Sequence, residues 1–300
     1  MIGSLGWLWV GMAAEAEALD KHAPAKEYSD TLFLESFSKN IREDLWANTT
    51  FYTFTNFVLQ GTKDNTLGGA SVLDLGCGDG MFTRWAAAQG ASKVVGIDLS
   101  EEQIAVASKM DDGHHSAGIE YHAKDVMDIR TPEYGEFDVI IAVHLICYAD
   151  NPEKLQRMLQ AVSLCLKKGG RCIGVRECLN SALKGPVSMK MKEEIKNGPM
   201  LAYQIIPQSD EIVESKDCDD FCACINEFRN SDGSIIKFTN YVVKESTMIK
   251  MFNDAGFEVN TCGPILTCSP EGKKMFPADF IDKVTNDFGK LLWYFDITKL

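Results

Sequence analysis

The segment Ser71-Val-Leu-Asp-Leu-Gly-Cys-Gly-Asp-Gly80 sets an apolar run directly before glycines at 76, 78 and 80. A buried strand that ends this way must turn sharply, and glycine allows both the turn and the close approach of a ligand to the backbone. A helix-like stretch follows, and then Val94-Val-Gly-Ile-Asp98, a second strand closed by a carboxylate. An acid at the carboxyl end of that strand can accept both hydroxyls of a ribose. Together these elements read as the cofactor site of a nucleoside-binding α/β domain.

The glycine spacing argues against a dinucleotide. The G-x-G-x-x-G fingerprint would need glycine at Met81, and Asp74 stands just before the first glycine. A carboxylate there repels a pyrophosphate and suits a cationic ligand, such as one carrying an ammonium and a sulfonium.

Strands and helices then alternate down the chain. Strands are expected at 71–75, 93–98, 119–123, 137–143 and 171–176, with a helix from about Gly80 to Gln89 stopped by Gly90. Ser100 is the expected N-cap of the next helix, with Glu101 and Glu102 at its positive end. A helix from Pro152 to Leu166 is expected to stop at Lys167-Lys-Gly-Gly170. Near-continuous apolar strands alternating with helices imply a mostly parallel sheet covered on both faces.

Residues 178–217 break this rhythm, and the acidic run from Ser209 to Asp220 reads as a solvated loop. A hairpin is expected at 221–229 and 234–243, then a helix at 245–254 and strands at 257–266 and 291–298. The chain divides into an N-terminal arm and helical lid over 1–60, and one α/β domain over 61–300 with an insertion at about 178–243. Three hundred residues suffice for one large core.

A net charge of −13 gives no basic face for nucleic acid. Ten cysteines without a secreted disulfide pattern imply a reducing, cytoplasmic compartment. Cys218, Cys222 and Cys224 form a small cluster, but that segment reads as a strand in which cysteine is a small core hydrophobe, so no metal is expected. The apolar start, Met1 to Ala14, imitates a signal peptide without a preceding positive charge, and is too short to span a bilayer. It is read as an arm or leader, with no membrane partner; oligomeric state is open.

These motifs resemble the class I S-adenosylmethionine-dependent methyltransferases. Val72-Leu-Asp-Leu-Gly-Cys-Gly-Asp-Gly80, Phe82-Thr-Arg84, Gly90-Ala-Ser-Lys-Val-Val-Gly-Ile-Asp-Leu-Ser100 and Gly118-Ile-Glu-Tyr-His-Ala-Lys-Asp-Val126 carry the likeness. Phe137-Asp-Val-Ile-Ile-Ala142, Tyr148-Ala149, Leu166-Lys-Lys-Gly-Gly-Arg171, Phe238-Thr-Asn-Tyr241 and Ala255-Gly-Phe257 extend it to small-molecule methyltransferases of the toxoflavin synthase type. The chain departs from that subgroup at His144, where an aromatic residue is usual, and at Cys147, where asparagine is usual.

The resemblance implies a Rossmann-like, doubly wound, seven-stranded sheet carrying a lid and a β-hairpin insertion. Gly76, Cys77 and Gly78 would lie against the methionine part of S-adenosylmethionine, with Asp74 near its ammonium. Asp98 would hold the ribose and Leu99 would pack on adenine. Asp125 would accept from the adenine amino group, Val126 would flank the ring and Ala142 would face the sulfonium.

Methyl transfer is an in-line displacement, so alignment can supply much of the rate. His144 and Tyr148 follow the fourth strand, where a doubly wound sheet presents ligands, and His144 is a candidate base. Tyr28, Trp46, Tyr52, Asn240 and Tyr241 are the candidates for enclosing the acceptor, Trp46 and Tyr52 by cation–π contact with a methylated amine. The expected activity is methylation of a small molecule, with nitrogen the favoured acceptor and oxygen or sulfur the alternatives, giving S-adenosylhomocysteine. The reading of another class is a non-catalytic S-adenosylmethionine-binding protein.

Overall fold

A computed structural model describes residues 46–60, 62–111, 118–130, 132–179, 188–190, 200–206, 220–229, 235–286, 289 and 292–300. Five parallel strands come first along the chain. They are β1 (Ser71–Leu75), β2 (Lys93–Asp98), β3 (Ile119–Ala123), β4 (Phe137–Val143) and the long β5 (Leu166–Leu179). Later, β10 (Phe257–Gly263) and β11 (Leu292–Lys299) join the same sheet, giving the order β3-β2-β1-β4-β5-β11-β10. Only β11 runs antiparallel to its neighbours in this core.

The expected seven-stranded sheet is therefore present. Its strand order reverses between β1 and β4, because β2 and β3 lie to one side of β1 and β4 and β5 to the other. Crevices form at the carboxyl ends of strands at such a reversal.

Side-chain alternation divides the core between the two faces. Val72, Val139, Ile141, Ile173 and Val175 pack on one face with α1 (Tyr52–Leu59), α2 (Met81–Ala88) and α7 (Ala278–Asn286). Leu73, Leu75, Ile140 and Cys172 pack on the other with α4 (Pro152–Cys165) and α5 (Glu245–Asp254). Between them in sequence stand α3 (Glu101–Met110), after β2, and the short α6 (Gly272–Met275).

Local signals account for the helix boundaries. The Ser100 hydroxyl accepts the Gln103 N–H and Asn151 Oδ1 accepts the Lys154 N–H, with Pro152 opening α4. Gly90 and Gly256, at φ 85° and 84°, follow α2 and α5 as the sequence predicts.

The expected end of α4 is corrected. Lys167-Lys-Gly-Gly170 is not a helix stop; α4 ends at Cys165, and these residues already belong to β5. The stretch 178–217, where the rhythm breaks, holds β6 (Ser188–Lys190) and β7 (Met200–Ile206), which the sequence reading does not place. The apolar run Met200-Leu-Ala-Tyr-Gln-Ile-Ile206 was the available signal for β7.

These strands pair antiparallel with the expected hairpin, β8 (Cys222–Arg229) and β9 (Ile235–Lys244), in the order β9-β8-β7-β6. The end of β9 pairs with the end of β5 at Cys178 and Leu179, so the insertion continues the main sheet. Asp220, the last residue of the acidic run, is not a solvated loop residue. Its carboxylate accepts the Lys244 N–H and the Thr247 hydroxyl, tying the start of β8 to the start of α5. The rest of that run, with Cys218 and the arm before residue 46, lies outside the described residues.

Gly174 shows how tightly the centre of the sheet is packed. A Cβ there would meet the Ala142 carbonyl oxygen at 2.3 Å and a Phe295 ring carbon at 2.2 Å. The first of these is backbone and cannot swing aside. Gly174→Ala is expected to cost about 1–3 kcal/mol, as overpacking does. Its melting temperature should fall by several degrees in thermal unfolding; an unchanged value would contradict this packing.

Candidate active site

The turn from β1 into α2 is built from left-handed backbone, with Gly76, Gly78 and Gly80 at φ 71°, 55° and 76°. It is fixed to β2 by hydrogen bonds. The Gly76 and Cys77 N–H groups donate to the Ile97 carbonyl at 2.7 and 3.0 Å. The Gly78 N–H donates to Asp98 Oδ2 at 2.8 Å, and the Ser100 N–H to Oδ1 at 2.9 Å. Asp98 thus orders the glycine turn and the start of α3 through its two oxygens. Each oxygen keeps a lone pair for a ligand. Burial pushes its carboxyl above the ordinary range, against the opposing pull of the Ser100 and Gly78 N–H groups.

Tyr121 of β3 walls the turn. A Cβ at Gly80 would sit 2.5 Å from the Tyr121 hydroxyl, and one at Gly96 would sit 2.8 Å from its ring and 3.1 Å from Cys77 Sγ. Cys77 itself is buried. Burial, then the charges of Asp74 and Asp98, hold its thiol protonated.

Asp74 is 1% exposed and alternates onto the α2 face, where the Thr83 hydroxyl donates to it at 2.6 Å. Burial raises its pKa from 3.8 to about 7, with Thr83 opposing and Asp98 adding to the rise. Without a cation beside it, this carboxylate is poorly solvated.

The other residues singled out for the cofactor lie at or just beyond the carboxyl ends of β2, β3 and β4. Leu99 is 51% exposed immediately after Asp98, an apolar surface available to a flat ring. Asp125 accepts the Met127 N–H at 2.8 Å and caps the short turn Val126–Asp128, and Val126 is buried. Ala142 is wholly buried, with its side chain inside the core.

On the acceptor side, His144 leaves β4 in left-handed backbone, φ 52°, and its N–H donates to the Val175 carbonyl. Its Nδ1 lies 3.4 Å from Glu177 Oε1. Burial would raise the Glu177 carboxyl, yet the adjacent His144 draws it below its usual range. Cys147 Sγ donates to the His144 carbonyl at 3.2 Å, and Tyr148 ends the same short helical turn, Ile146–Tyr148.

Glu177 is the site residue that the sequence reading misses. Its one signal is position, because it follows the last apolar residues of a strand whose carboxyl end borders the crevice.

The enclosing candidates separate. Asn240 and Tyr241 lie on β9, Asn240 buried and Tyr241 partly so. The Tyr241 carbonyl accepts from Arg176 Nη2. Trp46 packs in an aromatic group with Phe51 and Phe82, at 6.0 and 5.8 Å between ring centres. Tyr52 begins α1 and is partly exposed, while Tyr28 lies outside the described residues.

Known proteins share this fold. The family model for a methyltransferase domain matches residues 72–170. The ubiquinone biosynthesis O-methyltransferase of Coxiella burnetii is 35% identical over 106 residues, 35% of this chain and 43% of that protein. The protein of the same name from Bordetella avium is 30% identical over 105 residues, 35% and 42% of the two chains. The chain thus spans less than half the length of these curated relatives.

Among solved structures, an S-adenosylmethionine-dependent methyltransferase from Clostridium acetobutylicum superposes with a TM-score of 0.60. The two share 16% identity, over 88% of this chain and 98% of that one. An S-adenosylmethionine-dependent methyltransferase from Mesorhizobium loti gives 0.52 at 20% identity, over 78% and 92%. The fold is that of the class I S-adenosylmethionine-dependent methyltransferases. Residues 72–170 are the part of the chain that matches the methyltransferase-domain model. Among the described residues no helix is long and apolar enough to cross a membrane.

The state of Asp74 gives a stability test. Its folded pKa, about 7, exceeds its ordinary 3.8. Between those values the folded chain holds a proton that the unfolded chain has lost, so stability falls as pH rises through that window. Asp74→Asn removes the penalty. In the absence of cofactor, its melting temperature should exceed that of the wild type at pH 8 and approach it near pH 4. A difference independent of pH would show that Asp74 is not the group responsible.

Proposed function

We propose that the protein transfers the methyl group of S-adenosylmethionine to an oxygen of a small molecule. The observation that carries the reading is the glycine turn tied to Asp98 beside the strand-order reversal, since it offers a carboxylate to a ribose and bare backbone to the methionine portion. Gly76, Cys77 and Gly78 would meet that portion, with Asp74 neutralising its ammonium and the Ala142 backbone near the sulfonium. Leu99, Asp125 and Val126 would take the adenine.

The sequence taken alone favours a nitrogen acceptor. The names of the curated relatives are those of O-methyltransferases, and this supports oxygen instead. The likeness to the toxoflavin synthase type rests on the motifs after residue 50 and supports a small acceptor without selecting its atom.

His144 and Tyr148 are the residues proposed to act on the acceptor, because they follow β4 at the reversal point. Asn240 and Tyr241 on β9 would border it, and the aromatic segment with Tyr28, Trp46 and Tyr52 would cover it as a lid over residues 1–60. Ten free-thiol candidates favour a cytoplasmic setting.

A hydroxyl acceptor approaches the methyl carbon opposite the sulfur. The carbon–sulfur bond breaks as the carbon–oxygen bond forms, the sulfonium becomes a thioether, and the hydroxyl proton passes to solvent water. Turnover is tested by incubating the protein with S-adenosylmethionine and a panel of phenols, alcohols and amines, and measuring S-adenosylhomocysteine. Product from amines alone would overturn the oxygen assignment.

Asp98→Ala is expected to weaken S-adenosylmethionine binding at least tenfold, since hydrogen bonds to a charged group are worth about 1.5–3 kcal/mol each. Calorimetry on the folded variant checks this; unchanged affinity would remove Asp98 from the ribose site. NAD and NADP should not bind, because Met81 stands where their third glycine belongs and Asp74 repels phosphate. Titration that shows NAD displacing S-adenosylmethionine would overturn this reading of the turn.

A further inference from the structure

The carboxyl ends of β4 and β5 assemble three donor groups that no sequence spacing joins. His144, Cys147 and Glu177 place one ligand atom each within 4.8 Å of one another. Glu177 comes from a different strand, which is why the run His144-Leu-Ile-Cys147 gives no metal signature of its own.

Glu177 is poorly served as it stands. Its side chain is 3% exposed, and Oε1 faces His144 Nδ1 at 3.4 Å, but Oε2 is buried without a hydrogen-bond partner. Arg176 gives no relief. Its guanidinium donates to the Glu177 backbone carbonyl, the Tyr241 carbonyl and Met248 Sδ. A buried carboxylate that lacks partners is costly. His144 and Asn240 both act on this carboxylate, and the Cys147 thiol lies beside it, yet Oε2 stays buried without a hydrogen-bond partner.

We propose that His144, Cys147 and Glu177 bind a divalent cation of the zinc class, with a fourth position open towards the acceptor. One imidazole nitrogen, one thiolate and one carboxylate are zinc ligands, and three protein ligands with one open place characterise sites where zinc acts on substrate. Magnesium and calcium prefer oxygen throughout. Zinc bonds of about 2.0–2.3 Å put tetrahedral ligands roughly 3.3–3.8 Å apart. The His144–Glu177 separation of 3.4 Å already fits, and the pairs with Cys147 Sγ, at most 4.8 Å apart, need to close by up to about 1.3 Å.

Charge also balances. Burial keeps the Cys147 proton on, and coordination displaces it, since a thiol bound to zinc is deprotonated. Two positive charges then meet one thiolate and one carboxylate, so the site is neutral, with its proton released to solvent. The His144 side chain is 31% exposed, so the group opens on that side.

The role of the ion, though not its presence, rests on the methyl-transfer reading. An acceptor hydroxyl in the fourth position would lose its proton more readily as a zinc ligand. Its oxygen would then take the methyl group as the sulfonium becomes a thioether.

Metal analysis of the full chain, expressed with zinc and dialysed, should find one zinc per chain. Cobalt substitution should give tetrahedral visible bands and a sulfur-to-cobalt charge-transfer band. That band should vanish in Cys147→Ala. Glu177→Gln, nearly isosteric and a second variant should the first not fold, should lower zinc affinity at least about tenfold. A folded wild type that retains no zinc and gives no charge-transfer band overturns the site. Zinc retained equally by both variants overturns the ligand assignment. A protein that holds zinc through these residues but turns over no S-adenosylmethionine keeps the site and defeats the functional reading.

Discussion

A parallel sheet cannot leave one face in water, because helices that connect its strands must cover both. That constraint organises this molecule. It makes alternate residues of β1, β4, β5 and β11 enter two separate apolar clusters. It also forces the chain to wind outward from β1 to β3 and return to place β4 on the other side of β1. The crevice at that reversal follows from topology before any side chain is considered, and both halves of the site lie along it.

The site is made of acids held in poor surroundings. Asp74 is driven towards neutrality by burial. Asp98 remains useful because two backbone N–H groups hold its carboxylate. Glu177 is kept ionised by His144. A cationic cofactor suits the first, a ribose the second and a cation the third. Each is an instance of the same physics, in which a carboxylate withdrawn from water gains its strongest interactions from what is brought to it.

The insertion after β5 is more than an ornament on the edge. β9 returns to pair with the last residues of β5, two residues beyond Glu177. Asn240 and Tyr241 consequently come from the extension, while His144 and Glu177 come from the core. The pair Asn240 and Tyr241 and the pair His144 and Glu177 thus stand on two parts of one continuous sheet.

Much of this was legible in the sequence because it depends on neighbours in the chain. Strand β1, the glycine turn, Asp98, the Ser100 cap and the boundaries of β2, β3 and β4 follow from local periodicity and backbone chemistry. Asp74 and Met81 likewise depart, within the local sequence, from the dinucleotide fingerprint. Local reading failed where long-range pairing outweighed propensity. Lys167-Lys-Gly-Gly170 looks like a helix stop yet lies in β5, which is flanked by β4 and β11, and β7 takes its conformation from pairing with β8. Only tertiary structure could join Glu177 to His144 and Cys147, or Asp220 to α5. Such contacts depend on which strand ends meet, and a sheet's strand order is set by how the whole chain buries its apolar faces.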